Sequence, residues 1–334
     1  MSAQSPRRPR EAAVVVCSDA GWAWQSAFVL ARSIANDLDG RLDHHAYLIG
    51  DVSNELMSAF PAEVSVHRLQ EYTEQFAYTE AAHIPKATML RFFAIEELSR
   101  VYRRVIYVDG DVYQAWGSFA DLLTLGETEH ALAAVRDRSQ WFDKPSMRGH
   151  RRYIAALNPK IGSQYFNAGF LVVNGPVYSA RECSAAALAF YRDNPERCRF
   201  GDQSALNAVI AGAWDSLSPG WNWQMSSTSY PLTAGRRPRH IHFTGPMKPW
   251  NDRLRLFDPS IFDEMKVFLK QRDLLHVLDH AKSPDGFRRA RERRRSSALE
   301  YFSDGASVKR EMIKEFLDLP THVDTAAGLV SYDL

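Results

Sequence analysis

The alternation of short apolar runs with helical patterns most constrains the fold of this chain. Residues 13–17, AVVVC, form a run with the length and β-branching of a fully buried strand. The stretch WQSAFVLARSIAND follows, with Phe28, Leu30 and Ile34 at helical spacing, and LDG ends it. HHAYLIG and EVSVHRL read as two further strands, KATMLRFFAIEELSR as a helix and RVIYVD as another strand. This β-α-β-β-α-β order predicts an α/β sheet with substantially parallel strands.

The pattern continues with the strand ALAAVRD, a long polar stretch over 138–164, and the strand YFNAGFLVVN. RECSAAALAFYRDN and GDQSALNAVIAG read as helices, the second ended by Gly212, and RHIHFTG as a late strand. The 138–164 stretch carries Pro and Gly and is expected to be irregular. Irregular segments of that length in a compact domain are usually functional, and an acceptor or lid role is expected of it. Near residues 255–260 the pattern turns mostly helical, as in SIFDEMKVFLKQRDLLHVLDHA. The expected organisation is a disordered basic tail over 1–12, a main domain over 13–257, and a helical, basic extension over 258–334.

A chain of 334 residues can bury a large core, and its 45% apolar and 24% charged residues are ordinary for a globular protein. Net charge is +1, so no global field points to nucleic acid, and no nucleic-acid partner is expected. The three cysteines, Cys17, Cys183 and Cys198, form no CxxC pair and fit a reducing compartment. No run approaches the roughly 20 apolar residues that span a bilayer. The expected location is therefore cytoplasmic.

The segment VIYVDGDVY, residues 105–113, admits two readings. Asp-Gly between apolar residues is a hairpin signal. Two carboxylates one residue apart also suit a divalent cation. The triplet alone means little, because DLDG supplies a second one at Asp37 and Asp39, where it closes a helix. Asp109 and Asp111 differ in following a buried strand. In extended backbone they point to the same side, and Gly110 leaves room for close approach. The place also fits ligand binding beyond the carboxyl ends of strands in open α/β sheets. At this level the hairpin and the metal site both stand.

Five other segments join it, and together they resemble the retaining family 8 glycosyltransferases, which include bacterial lipopolysaccharide galactosyl- and glucosyltransferases and glycogenin. The resemblance covers residues 13 to 252, with the motifs in family order. It implies a GT-A fold, a single Rossmann-like nucleotide-sugar-binding domain with a mixed central sheet. VVVCSDAGW matches the first strand and its loop, so Asp19 is expected at the uracil and Trp22 stacked on it. MLRFF places Arg91 toward the donor sugar and phosphates, and YVDGDV supplies the metal motif. YFNAGF sets Asn167, Ala168 and Gly169 against the sugar, and GDQSALN sets Asp202 and Gln203 at the anomeric centre. HIHFTGPMKPW makes His242 the third metal ligand beside Asp109 and Asp111, with Gly245 and Lys248 on the diphosphate. The resemblance assigns His240 no role, and it is read as structural. Taken singly, Asp19 and Asp202 read as helix caps, Trp22 as core and Arg91 as a solvated charge.

The implied reaction moves glucose or galactose from a UDP-sugar to a hydroxyl of a glycan, lipopolysaccharide or other glycolipid, with the α configuration kept. Two carboxylates and an imidazole suit Mn²⁺ better than Mg²⁺, which prefers oxygen and retained water. A sugar-1-phosphate nucleotidyltransferase is the main competitor, but it needs a Gly-rich basic loop after the first strand, and CSDAGWAWQ is not one. A non-catalytic nucleotide-sugar-binding protein is the other. Finally, FRRARERRR puts Arg288 to Arg295 in a basic run that is either a solvated helix face or a contact for an anionic membrane.

Overall fold

The computed structural model describes residues 11–69, 86–125, 129–141, 148–225, 237–244, 248–252, 257–280, 314 and 316. Gly245 and the basic run Arg288 to Arg295 lie outside the described residues, as does all of the tail before Glu11.

The first strand, β1 (Ala12–Asp19), is followed by α1 (Ala23–Asn36), β2 (Leu42–Ile49), the short α2 (Asn54–Met57) and β3 (Val64–Leu69). Then come α3 (Lys86–Ser99), β4 (Arg104–Val108), β5 (Val112–Gln114) and β6 (Leu132–Arg136). The second half holds α4 (Arg148–Leu157), β7 (Phe166–Asn174), α5 (Gly175–Ala180), α6 (Cys183–Asp193) and α7 (Asp202–Ile210). It ends with β8 (Asp215–Ser216), β9 (Trp223–Gln224), β10 (His240–His242), α8 (Pro259–Lys270) and α9 (Val277–His280).

The main sheet has the order β3-β2-β1-β4-β7-β6-β8. Strands β3, β2, β1 and β4 run parallel, and β7 is antiparallel to both β4 and β6. Because both faces are covered, the strands are apolar throughout and alternate residues serve different cores. Ala12, Val14 and Val16 of β1 face one core with α1 and α8, while Ala13, Val15 and Cys17 face the other with α3, α6 and α7. The second sheet is small, in the order β5-β10-β9, and packs in the first of these cores.

Antiparallel β7 brings its N-terminal half beside the carboxyl end of β4, since Val108 pairs with Phe170 and the Asp109 amide donates to the Gly169 carbonyl at 2.8 Å. There β7 breaks regular alternation. Phe166 and Ala168 share a core with Leu171 and Val173, so the parity changes around Gly169. The β6 register shifts over the same stretch, from Ala134 opposite Leu171 to Arg136 opposite Phe166. Such irregularities re-aim side chains and cluster near binding sites.

Two expectations differ from what is observed. The 138–164 stretch is not wholly irregular, because α4 lies within it. Ile154 and Leu157 bury one side of α4 against Ile161, Tyr165 and Ala208, a small satellite core that stabilises an otherwise polar helix. The late helical run is also interrupted. Asp273 takes a left-handed φ of 58°, and the Leu274 amide turns back to the Leu269 carbonyl at 2.9 Å. That reverse bond closes α8 before α9 begins. Ile261, Met265, Phe268 and Leu269 of α8 sit in the same core as α1.

Candidate functional site

The site is built at the carboxyl edge of the main sheet, where β1 and β4 end and β7 begins. Between β4 and β5 the Val112 amide donates to the Asp109 carbonyl at 3.1 Å, so Asp109 to Val112 is a tight turn. The two strands it joins lie in different sheets, so it is not a hairpin. Nor is it extended backbone, the geometry expected to align the two carboxylates. They converge anyway: Asp109, Asp111 and His242 each offer a ligand atom, all within 4.8 Å of one another.

Each ligand is oriented by its neighbours. Asp109 Oδ1 accepts from the Tyr107 hydroxyl at 2.7 Å and from Arg91 Nη2 at 3.1 Å, while Oδ2 lies 3.9 Å from His242 Nε2. Asp111 Oδ1 is 3.2 Å from the same Nε2, and its Oδ2 is paired with the Lys248 ammonium. Burial raises the Asp111 carboxyl, but Lys248 and then His242 outweigh it and hold the group well below the usual carboxylate range. Behind the imidazole, His242 Nδ1 lies 3.0 Å from Asn222 Oδ1. That bond keeps the proton on Nδ1 and leaves Nε2 to the carboxylates. Gly169 forms one wall, because a Cβ there would lie 2.7 Å from Asp109 Oδ2 and collide with the His242 ring. Two carboxylates with one imidazole oriented by Asn222 are a donor set that fits a hard or borderline divalent cation.

Arg91 is not the solvated helix charge its position suggests in isolation. It is 4% exposed, stacked on the Tyr107 ring at 4.5 Å, and its Nη1 donates to the Ala168 carbonyl at 2.6 Å. Its Nε lies 2.8 Å from Asp202 Oδ2, an ion pair without hydrogen-bond alignment. Asp202 is the first residue of α7, one past the cap position at Gly201. Burial pushes its carboxyl up to about 6, against the pull of Arg91.

The other expected residues gather around β7. Gln203 Oε1 accepts from the Ala168 amide at 3.1 Å and from Asn167 Nδ2 at 3.2 Å. Asn167 Oδ1 accepts from the Gly169 amide at 3.1 Å and from Asn222 Nδ2 at 2.9 Å. Asn222 thus connects the imidazole to the amide cluster. Asp19 caps the turn after β1, accepting from the Trp22 amide at 3.2 Å. Trp22 is 39% exposed, not core, and rests against Trp250 at 6.0 Å between ring centres. Gly110 faces α1, where a Cβ would find ordinary contact with Gln25 at 3.4 Å. His240 is buried in an aromatic stack, 4.6 Å from Phe119 and 5.5 Å from Trp221, and stays away from the metal-ligand group. The second D-x-D resolves as a turn, with both Asp37 oxygens accepting backbone amides of Arg41 and Leu42.

Sequence reasoning missed two residues. Asp137, just past β6, accepts from Gln203 Nε2 at 3.3 Å and Asn167 Nδ2 at 3.4 Å through Oδ2. Its signal was present, a carboxylate ending an apolar strand, as at Asp109. Asn222 lies in WNWQ, where the alternation buries Trp221 and Trp223 as well as Asn222 and Gln224.

Residues 49–253, more than half of the chain, match the model of glycosyl transferase family 8. The chain belongs to that family. This family 8 chain is 30% identical over 177 residues to a lipopolysaccharide 1,3-galactosyltransferase of Salmonella typhimurium, a match covering 49% of each. It is 27% identical over 176 residues to a lipopolysaccharide glucosyltransferase of Escherichia coli, covering 50% of this chain and 49% of the relative. The match thus spans about half the length of these curated relatives. Among solved structures, an active-site mutant of LgtC superposes with a TM-score of 0.61 at 18% identity, over 77% of this chain and 95% of that one. The bifunctional glycosyltransferase WbbM gives 0.64 at 20%, over 84% of this chain and 53% of its own. The family 8 chain therefore has the GT-A fold. No helix among its described residues is long and apolar enough to cross a membrane.

Proposed function

We propose that this chain is a retaining glycosyltransferase that moves glucose or galactose from a UDP-sugar, with Mn²⁺, to a hydroxyl of a lipopolysaccharide or related glycan. One observation carries the reading. Asp109, Asp111 and His242 converge at the sheet edge, and Asn222 joins them directly to the amide cluster of Asn167 and Gln203. A donor has its diphosphate and its sugar side by side, and this arrangement offers a cation site beside a hydrogen-bonding pocket. The names of the curated relatives support a lipopolysaccharide acceptor.

Asp109, Asp111 and His242 would hold the cation, which when bound supplies charge neutralisation at the leaving diphosphate. Lys248 contributes a second positive charge. Its ammonium rests on Asp111, so diphosphate oxygens compete with that carboxylate for it. Asp19 and Trp22 take the uracil in this reading, and Gly245 helps Lys248 with the diphosphate. Gln203 faces the anomeric carbon. Its amide oxygen is a weak nucleophile and already accepts two hydrogen bonds, which favours support of a developing cation and attack from the front face. Asp202 is tied to Arg91, which favours a role in fixing the sugar over one as nucleophile. The basic run Arg288 to Arg295 would place the enzyme at the cytoplasmic membrane face, each residue worth about 1 kcal/mol near anionic lipid.

Screening UDP-hexoses for Mn²⁺-dependent UDP release tests the assignment. Release is expected from one UDP-hexose, and is lost in Asp109→Asn, Asp111→Asn and His242→Ala with the fold retained. Full activity in chelator would overturn the metal assignment, and no release from any UDP-hexose would overturn the function. Co-sedimentation with vesicles that ignores their anionic lipid content would remove the membrane contact.

A further inference from the structure

We propose that His150 is a positioning residue for the sugar pocket, acting through Ser139 on the carboxylate of Asp137. The inference rests on the donor-sugar reading above, because the pocket it serves is the one lined by Asn167 and Gln203.

The two oxygens of Asp137 are held differently. On one side Oδ2 meets Gln203 Nε2 at 3.3 Å and Asn167 Nδ2 at 3.4 Å. Both contacts are long for N–H···O bonds and fix little by themselves. On the other side Oδ1 accepts from the Ser139 amide at 3.0 Å and from the Ser139 hydroxyl over a shorter distance. The orientation of the carboxylate is therefore set from the Oδ1 side.

The Ser139 hydroxyl has one proton, and it is committed to a carboxylate that only accepts. His150 Nε2 lies 2.7 Å from the same oxygen, so the imidazole donates from Nε2 to the Ser139 lone pair. The chain runs His150 Nε2–H to Ser139 Oγ–H to Asp137 Oδ1, each donor strengthening the next. The ring cannot easily turn away. Tyr153 and Phe200 both lie 5.8 Å from it and Tyr165 lies 6.0 Å from it, centre to centre. His150 stands on α4, so α4 is tied to the strand end that carries Asp137.

Ser139→Ala and His150→Leu should each lower kcat/KM for the UDP-sugar by about 5- to 10-fold, the size of one lost hydrogen bond. The affinity for UDP with Mn²⁺ should not change, because the chain reaches only the sugar pocket. His150→Gln, whose terminal NH₂ can take the place of Nε2–H, should return kcat/KM to within about threefold of the parent. The double variant Ser139→Ala with His150→Leu should be no worse than either single one, since both break one chain. Parallel losses in UDP affinity and kcat/KM would mean general structural damage and overturn the proposal. So would His150→Gln no better than His150→Leu, or parental activity in both. If the parent releases no UDP from any UDP-sugar, the donor reading fails first and this proposal falls with it. Active parent enzyme with insensitive variants would sink the positioning role alone.

Discussion

His242 meets the two carboxylates with Nε2 because Asn222 holds its Nδ1 at 3.0 Å. Partners of this kind set the tautomer and the ring plane of a ligating histidine. Asn222→Ala should therefore weaken Mn²⁺ binding by roughly 10- to 100-fold, the usual effect of removing such a partner. Calorimetric titration of the purified protein with Mn²⁺ checks it, and unchanged affinity would show that the ring needs no such support.

Gly169 and Gly110 make opposite predictions. A methyl at Gly169 would press on Asp109 and the His242 ring, so Gly169→Ala should abolish UDP release and lower the melting temperature. A methyl at Gly110 would meet Gln25 at ordinary contact distance, so Gly110→Ala should keep its fold and most of its activity. Thermal melts and UDP-release assays on both variants provide the comparison.

Arg91 is a buried cation facing Asp109 and Asp202. Replacing it with Met strands Asp202 without its counter-charge, and breaking such a pair costs about 3–5 kcal/mol. Arg91→Lys should not restore the loss, because one ammonium cannot span the Ala168 carbonyl and both carboxylates that the planar guanidinium reaches. Urea midpoints for the two variants test this.

The protein should lose stability in mild acid. His45 lies against His67 at 3.1 Å and the Tyr102 hydroxyl at 3.0 Å. Burial, and then the neighbouring His67, push its pKa down from 6.5 to about 4. Between those two values the unfolded chain binds a proton that the folded chain refuses, so stability falls as pH drops through that window. The shift is worth about 3 kcal/mol at most, at 1.36 kcal/mol per unit. Burial lowers His67 and His240 too, with the same sign. Melting temperatures at pH 7 and pH 5 should show the fall, and His45→Gln should flatten it.

The strand and helix order was readable because both faces of the main sheet are covered, which makes each strand an apolar run. The site residues at strand ends were readable for the same reason, since a carboxylate such as Asp109 stands out where an apolar run stops. Helix α4 was not, because it buries little more than Ile154 and Leu157 and reads as polar loop. The turn at Asp109 to Val112 was misjudged as extended because the pattern cannot show that β5 leaves the sheet of β4. Asn222 was missed because hydrogen bonding to residues far along the chain leaves no local pattern, whereas Asp137 does end an apolar run but its tie to Asn167 and Gln203 is not visible there.

The turn between β4 and β5 has one more consequence. Asp109 hangs from the end of the large sheet, whereas Asp111 leads into β5 and His242 ends β10, the middle strand of the small one. An ion gripped by all three is a rivet through two plates otherwise joined by that turn, by packed side chains and by bonds such as Gln224 Nε2 to the Arg136 carbonyl at 2.8 Å. Loading it should slow hydrogen exchange across the β5-β10-β9 sheet, while the amides of β1 and β2, deep in the large sheet, remain as they were.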